Sequence, residues 1–128
     1  MSIRRIKVLM IEDDQDQIQL YGTKFRLEGY DFIFGNDGND GLKLAKEQNP
    51  DIVLLDIMLY EEDGIEVLKK IKQDQKTKNI PVIIFSNLDK KEIVDKAFTL
   101  GAVDYIIKSK IVPSEIVEKV AEITKNKI

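Results

Sequence analysis

Five short apolar runs recur along the chain, at residues 6–11 (IKVLMI), 30–34, 52–55, 81–85 (PVIIF) and 103–107. Each is too short for a helix and rich in branched or aromatic residues, so each reads as a strand. The run at 52–55 is apolar on both faces and lies between Pro50 and Gly64. That pattern predicts a central parallel strand covered above and below by helices.

The segments between the runs carry the helical period. Ile18, Tyr21 and Phe25 form one stripe over about residues 15–28, Gly22 weakens that helix slightly, and Gly29 stops it. A turn at 35–41 offers Asp37 and Asn39 as caps for a short helix that carries Leu42, Leu44 and Ala45, continues over residues 43–48 and is blocked by Pro50. Ile65, Val67, Leu68 and Ile71 mark a third helix, ending in the polar stretch 73–79. Asp89 with Glu92 three residues later forms a capping-box pattern opening a fourth, which bears Ile93, Val94, Ala97, Phe98 and Leu100 and closes at Gly101. Pro113 begins a fifth, with Ile116, Val117, Val120, Ala121 and Ile123.

The connections are too long for hairpins and long enough for crossovers. Five strand–helix pairs of this kind predict an α/β fold: a doubly wound parallel sheet with right-handed crossovers and helices on both faces. A length of 128 residues suits one domain, with no repeat or linker, so residues 1–128 are expected to form a single unit.

Composition narrows the chemistry. A net charge of −3 with interspersed signs argues against nonspecific nucleic-acid binding. No apolar stretch approaches a membrane span, and the start of the chain reads as a strand and not a signal peptide. Neither cysteine nor histidine occurs. Thiolate chemistry and disulfides are therefore excluded, a cytoplasmic setting is compatible, and any reaction must run on carboxylates, hydroxyls and lysines.

Those groups fall at strand ends, where open α/β sheets bind ligands. Glu12 and Asp13 follow the first run, Asp56 the third, Ser86 the fourth and Lys108 the fifth. Adjacent carboxylates repel unless a positive charge lies between them, or unless they cap a helix, as Asp14 is expected to do. Carboxylates from two strands, with carbonyls and waters, suit an octahedral Mg²⁺. Phosphoryl transfer needs mainly positioning and charge neutralisation on three oxygens, which a metal ion, the Lys108 ammonium and the Ser86 hydroxyl can share, with Asp56 as nucleophile. The plain alternatives are a salt bridge between Lys108 and Asp56 and a turn role for Ser86.

At this point the chain resembles the response regulator receiver domain, of the single-domain chemotaxis type. The matching pieces are VLMIEDD, LLDIML followed by EEDG, PVIIFS and GAVDYIIK, and together they span nearly all of the sequence. The resemblance implies a flavodoxin-like (βα)5 fold with strand order 2-1-3-4-5. It also implies Asp56 as phosphoacceptor, Asp13 as a direct Mg²⁺ ligand and Glu12 as a ligand through water. Met58 would lend its backbone carbonyl to the metal, and Ser86 and Lys108 would hold the phosphoryl group. Tyr105 would be a switch aromatic, its ring moving inward when the Ser86 hydroxyl swings toward the phosphate.

The implied function is that of a stand-alone receiver in two-component signal transduction. Its donor would be a phosphohistidine on a sensor histidine kinase or histidine phosphotransfer protein. Its output would be an unknown protein, met through the face of helix 4, strand 5 and helix 5, with onward passage in a phosphorelay as the other outlet. Such a protein catalyses its own phosphorylation and slow dephosphorylation without turning over an external substrate, and is a monomer or a phosphorylation-dependent dimer. The rival reading is a pseudo-receiver that no longer phosphorylates and acts as a constitutive interaction module. A flavin protein of similar architecture fails on charge, because Glu12, Asp13 and Asp14 would repel its phosphate. A stand-alone Mg²⁺ phosphatase lacks its second acid, since Met58 stands there.

Three positions depart from the family pattern, and two more bear on its chemistry. Ser109 replaces the proline common after the active-site lysine, where the bond is typically cis. A cis bond to serine costs about 2.5 to 4 kcal/mol, so either a trans bond with a shifted loop or a strained cis bond is expected. Tyr60 replaces a proline and should loosen its loop or expose an aromatic ring. Asn87 replaces a small residue and should narrow access to Asp56. Met58 and Leu88 are apolar where the family can position the hydrolytic water, which predicts slow self-dephosphorylation.

Overall fold

Two sets of inward-facing side chains, one on each side of a single sheet, organise the protein. The structure, a computed structural model, describes residues 4–127. Strands β1 (Lys7–Ile11), β2 (Asp31–Gly35), β3 (Ile52–Leu55), β4 (Val82–Ser86) and β5 (Asp104–Ile107) form a five-stranded sheet in the order β2-β1-β3-β4-β5, and every pairing is parallel. This is the doubly wound fold expected from the sequence, with the expected strand order. Alternate residues point to opposite faces. Leu9, Ile11, Val53, Leu55, Val82 and Ile84 pack beneath α2 (Gly38–Gln48), α3 (Gly64–Gln73) and α4 (Lys91–Thr99). Val8, Met10, Ile52, Leu54, Ile83 and Phe85 pack against α1 (Gln15–Leu27) and α5 (Pro113–Thr124). The central strand β3 is fully buried on both faces, as its unbroken apolar run requires.

Local signals set most of the element ends. Asp14 caps α1 by accepting from Asp16 and Gln17 N–H groups, and Gly29 and Gly101 adopt positive φ past the ends of α1 and α4. Gly22 has a packing reason as well as a helix cost: a Cβ there would lie 3.0 Å from the Phe32 ring, so its absence lets α1 close onto β2.

Several expectations need correction. Of the two candidate caps for α2, Asp37 is the cap, accepting from Asp40 N–H, and Asn39 lies inside the helix. The capping box at Asp89 does not form. The N-cap of α4 is Lys90, without a side-chain cap, because the Asp89 carboxylate is turned to Lys110, 3.3 Å away. Val103 precedes β5 instead of opening it. A short antiparallel ribbon, Met58–Leu59 with Glu62–Asp63, is an element the apolar pattern did not signal. The peptide bond between Lys108 and Ser109 is trans, and the residues Lys108–Lys110 form a 3-10 turn, the first of the two outcomes expected for serine at this position.

Candidate phosphoryl-transfer centre

The order of strands reverses at β1, which has β2 on one side and β3 on the other, so the crevice at the carboxyl ends of β1 and β3 is where a ligand is expected. The backbone ladder carries straight into it. Glu12 N–H bonds to Gly35 and Asp56 N–H to Ile11, which fixes both acidic residues at the strand tips. Gly64 makes the turn after Asp56 possible. A Cβ at that position would lie 2.2 Å from the Ile57 Cα, so only glycine lets α3 start so close behind the strand end.

Glu12, Asp13, Asp56, Met58 and Lys108 line one cleft of about 280 Å³, together with Asp14, Gln17 and Asn87. Glu12 is 1% exposed and Asp56 8%. The Lys108 ammonium lies between them, bonded to Glu12 Oε1 and, at 2.8 Å, to Asp56 Oδ2. Asp56 Oδ1 accepts from the Met58 N–H at 2.8 Å. Burial pushes Asp56 up, but the Lys108 ammonium, the Met58 N–H and the Ser86 hydroxyl outweigh it and hold the carboxyl below its ordinary value. Burial raises Glu12 to about 7 against the opposing pull of Lys108. The lysine is lowered by burial and raised by its two carboxylates, with a net rise, so it stays charged.

Ser86 ends β4 fully buried, and its hydroxyl accepts from Leu88 N–H at 3.3 Å. Tyr105 is half-buried on β5 and its hydroxyl donates to the Leu88 carbonyl, so the ring already packs toward the loop after Ser86. Asp13 Oδ2 accepts from the Tyr60 N–H at 2.5 Å. The Tyr60 ring itself is 77% exposed, as its replacement of proline suggested.

Glu12, Asp13, Asp56, Met58 and Lys108 therefore meet at one edge of the sheet, with Ser86 at the end of the next strand, while Tyr105 lies within β5, two strands from Asp56, and reaches the Ser86 loop through its hydroxyl. The sequence reading missed Gln17, which helical spacing from Asp13 and Asp14 could have indicated, and the Tyr60 amide, a backbone donor that leaves no mark in the sequence.

The donor set suits a hard divalent cation, with three carboxylates from two adjacent strands. Among the described residues, no three such groups are close enough to hold an ion as they stand. The reason is visible. Asp13 is engaged by Tyr60 N–H, and the ammonium of Lys108 supplies the positive charge between Glu12 and Asp56. No helix among the described residues is long and apolar enough to cross a membrane.

Comparison with known proteins agrees with this geometry. The chain is 33% identical over 102 residues to the alkaline phosphatase synthesis transcriptional regulatory protein PhoP of Bacillus subtilis, which covers 80% of this chain and 42% of that protein. The chain thus spans less than half the length of this curated relative. The receiver domain of the Francisella response regulator 1452 superposes with a TM-score of 0.86 at 32% identity, covering 97% of this chain and 100% of that one. The chemotaxis protein CheY4 of Vibrio cholerae shares the fold, with a TM-score of 0.87 at 19% identity over 94% of this chain and 99% of that one. Residues 8–121 match the response regulator receiver domain, and the chain belongs to that family.

Proposed function

We propose that the chain is a phosphorylation switch of two-component signalling, in which Asp56 accepts a phosphoryl group from a phosphohistidine donor. The observation that carries this reading is the arrangement around Asp56. Its carboxylate is nearly buried, is held below its ordinary pKa by the groups around it, and shares one cleft with an ammonium and three further acids.

In the transfer, an Asp56 oxygen attacks phosphorus as the P–N bond to the donor imidazole breaks. The imidazole leaves with the bonding electron pair and takes a proton. Met58 N–H holds Asp56 Oδ1, which directs Oδ2 toward the cleft and Lys108. Lys108 neutralises charge on a transferring oxygen, and the Ser86 hydroxyl with the amides of its loop receives another. Glu12, Asp13, Asp56 and the Met58 carbonyl would hold Mg²⁺, which supplies further charge neutralisation and a fixed site for one phosphoryl oxygen. Drawing the Ser86 hydroxyl toward the phosphate moves the loop that Tyr105 touches, and so alters the face of α4, β5 and α5 offered to a protein partner.

Incubation with a small acyl phosphate, with and without Mg²⁺, tests the reading by intact mass. A mass gain that needs Mg²⁺ and disappears in Asp56→Asn supports it. No gain under any condition overturns it in favour of a constitutive interaction module.

A further inference from the structure

We infer that Asn87 is a positioning residue, which acts through the backbone N–H of Ser109 to hold Ser86 and Lys108 at a fixed spacing around Asp56. The inference rests on the reading of Asp56 as phosphoacceptor. Its physical basis is where the sheet stops. The paired register of β4 and β5 ends at Ser86 with Ile107. Beyond that rung no strand pairing holds the two loops together, yet the groups that must grip the phosphoryl oxygens sit on either side of this boundary.

The Asn87 side chain supplies the next rung. Its Oδ1 accepts from Ser109 N–H at 2.8 Å, well within hydrogen-bond range, and joins the residue after Ser86 to the residue after Lys108. The N–H is available because Ser109 lies in the first turn of the 3-10 segment Lys108–Lys110, where no earlier carbonyl of that turn claims it. The ion pair between the loops, Asp89 with Lys110, has both side chains well exposed and contributes little. The Tyr105 hydroxyl bond to Leu88 ties the loop to β5 but not to Lys108. Asn87 is itself exposed and lines the cleft, so its removal leaves the core untouched.

The residue type follows from the geometry. Alanine cannot reach Ser109, and aspartate would add another acid to a cleft already lined by Glu12, Asp13, Asp14 and Asp56. Asparagine provides the acceptor without the charge.

The test compares wild type, Asn87→Ala and Ser109→Ala, the last of which keeps the backbone N–H. Phosphoryl uptake from a small acyl phosphate in saturating Mg²⁺ is followed by intact mass across donor concentrations. Amide hydrogen exchange at Ser109 and the Lys108 ammonium resonance are followed by NMR. The expected result for Asn87→Ala is a maximal rate lower by about threefold to tenfold, the net worth of one hydrogen bond. The half-saturating donor concentration should not change, the Ser109 amide should exchange faster, and the Lys108 signal should shift. Ser109→Ala should match wild type. A wild-type rate in Asn87→Ala, or an equal loss in Ser109→Ala, overturns the inference. If wild type itself takes up no phosphoryl group, the reading of Asp56 has failed, and NMR decides the strap alone. Faster exchange with a displaced ammonium signal in Asn87→Ala upholds it, and unchanged spectra overturn it.

Discussion

The Lys108 ammonium lies 2.8 Å from Oδ2 of Asp56, joining residues 52 positions apart at the tips of two strands with β4 between them. The same ammonium reaches Glu12, so one buried cation serves two buried carboxylates. Removing it leaves both with backbone N–H partners but no cation. Lys108→Met is expected to lose about 3 to 5 kcal/mol at pH 8. The loss should shrink at pH 5, because Glu12 can then take a proton. The sign follows from linkage. Glu12 is raised from 4.5 to about 7 in the folded protein, so the stability it contributes is complete below 4.5 and is lost as pH rises through about 7. Urea unfolding of both proteins from pH 5 to 8 checks this.

Asp13 and Tyr60 form a second relationship with a measurable consequence. The Tyr60 N–H occupies an Asp13 oxygen that the proposed metal site needs. Tyr60 sits at the first corner of a two-residue turn whose second corner, Glu61, has a φ of 55°, and Tyr60 is not itself in the positive-φ region. Proline fits such a first corner and has no N–H. Tyr60→Pro is therefore expected to raise Mg²⁺ affinity by about threefold to tenfold, measured by calorimetry or NMR titration. Unchanged or weaker binding would show that the contact does not compete with the ion.

Gly64 controls the geometry of Asp56 through sterics. Because an added Cβ would lie 2.2 Å from Ile57 Cα and 2.9 Å from the Asp56 carbonyl, Gly64→Ala must push the nucleophile's own backbone aside. A stability loss of about 3 kcal/mol is expected, along with slowed phosphoryl uptake.

Met58 stands at the cleft with a half-exposed apolar side chain, and Leu88 follows on the Ser86 loop. Neither can accept a proton from an attacking water or orient it. Phosphorylated wild type is expected to outlive a Met58→Asn, Leu88→Glu variant by about tenfold, a modest share of what a positioned polar group contributes to such a step. Decay of the phosphorylated mass after donor removal measures this, and equal lifetimes would contradict it.

The sheet and its helices were legible because the pattern is locally unambiguous. The run at 52–55 has no polar face to expose, and Ile18, Tyr21 and Phe25 can share a buried stripe only in a helix. The meeting of Glu12, Asp56 and Lys108 was legible because strand ends in a parallel sheet share an edge. What escaped depended on competition between partners. Asp89 had a helix end within reach but pairs with Lys110, and Asp13 is held by a backbone amide that any residue except proline would present. The trans bond at Ser109 and its bond to Asn87 show the same limit: both departures stood in the sequence, but nothing there said that they would touch.

The central claim is that Asp56 is the acceptor. The most direct measurement treats the chain with a small acyl phosphate and Mg²⁺, reduces any acyl phosphate with borohydride, and sequences the peptides by mass spectrometry. The account predicts homoserine at residue 56 alone. Reduction at Asp13, Glu12 or another acid, or at no residue, would contradict it.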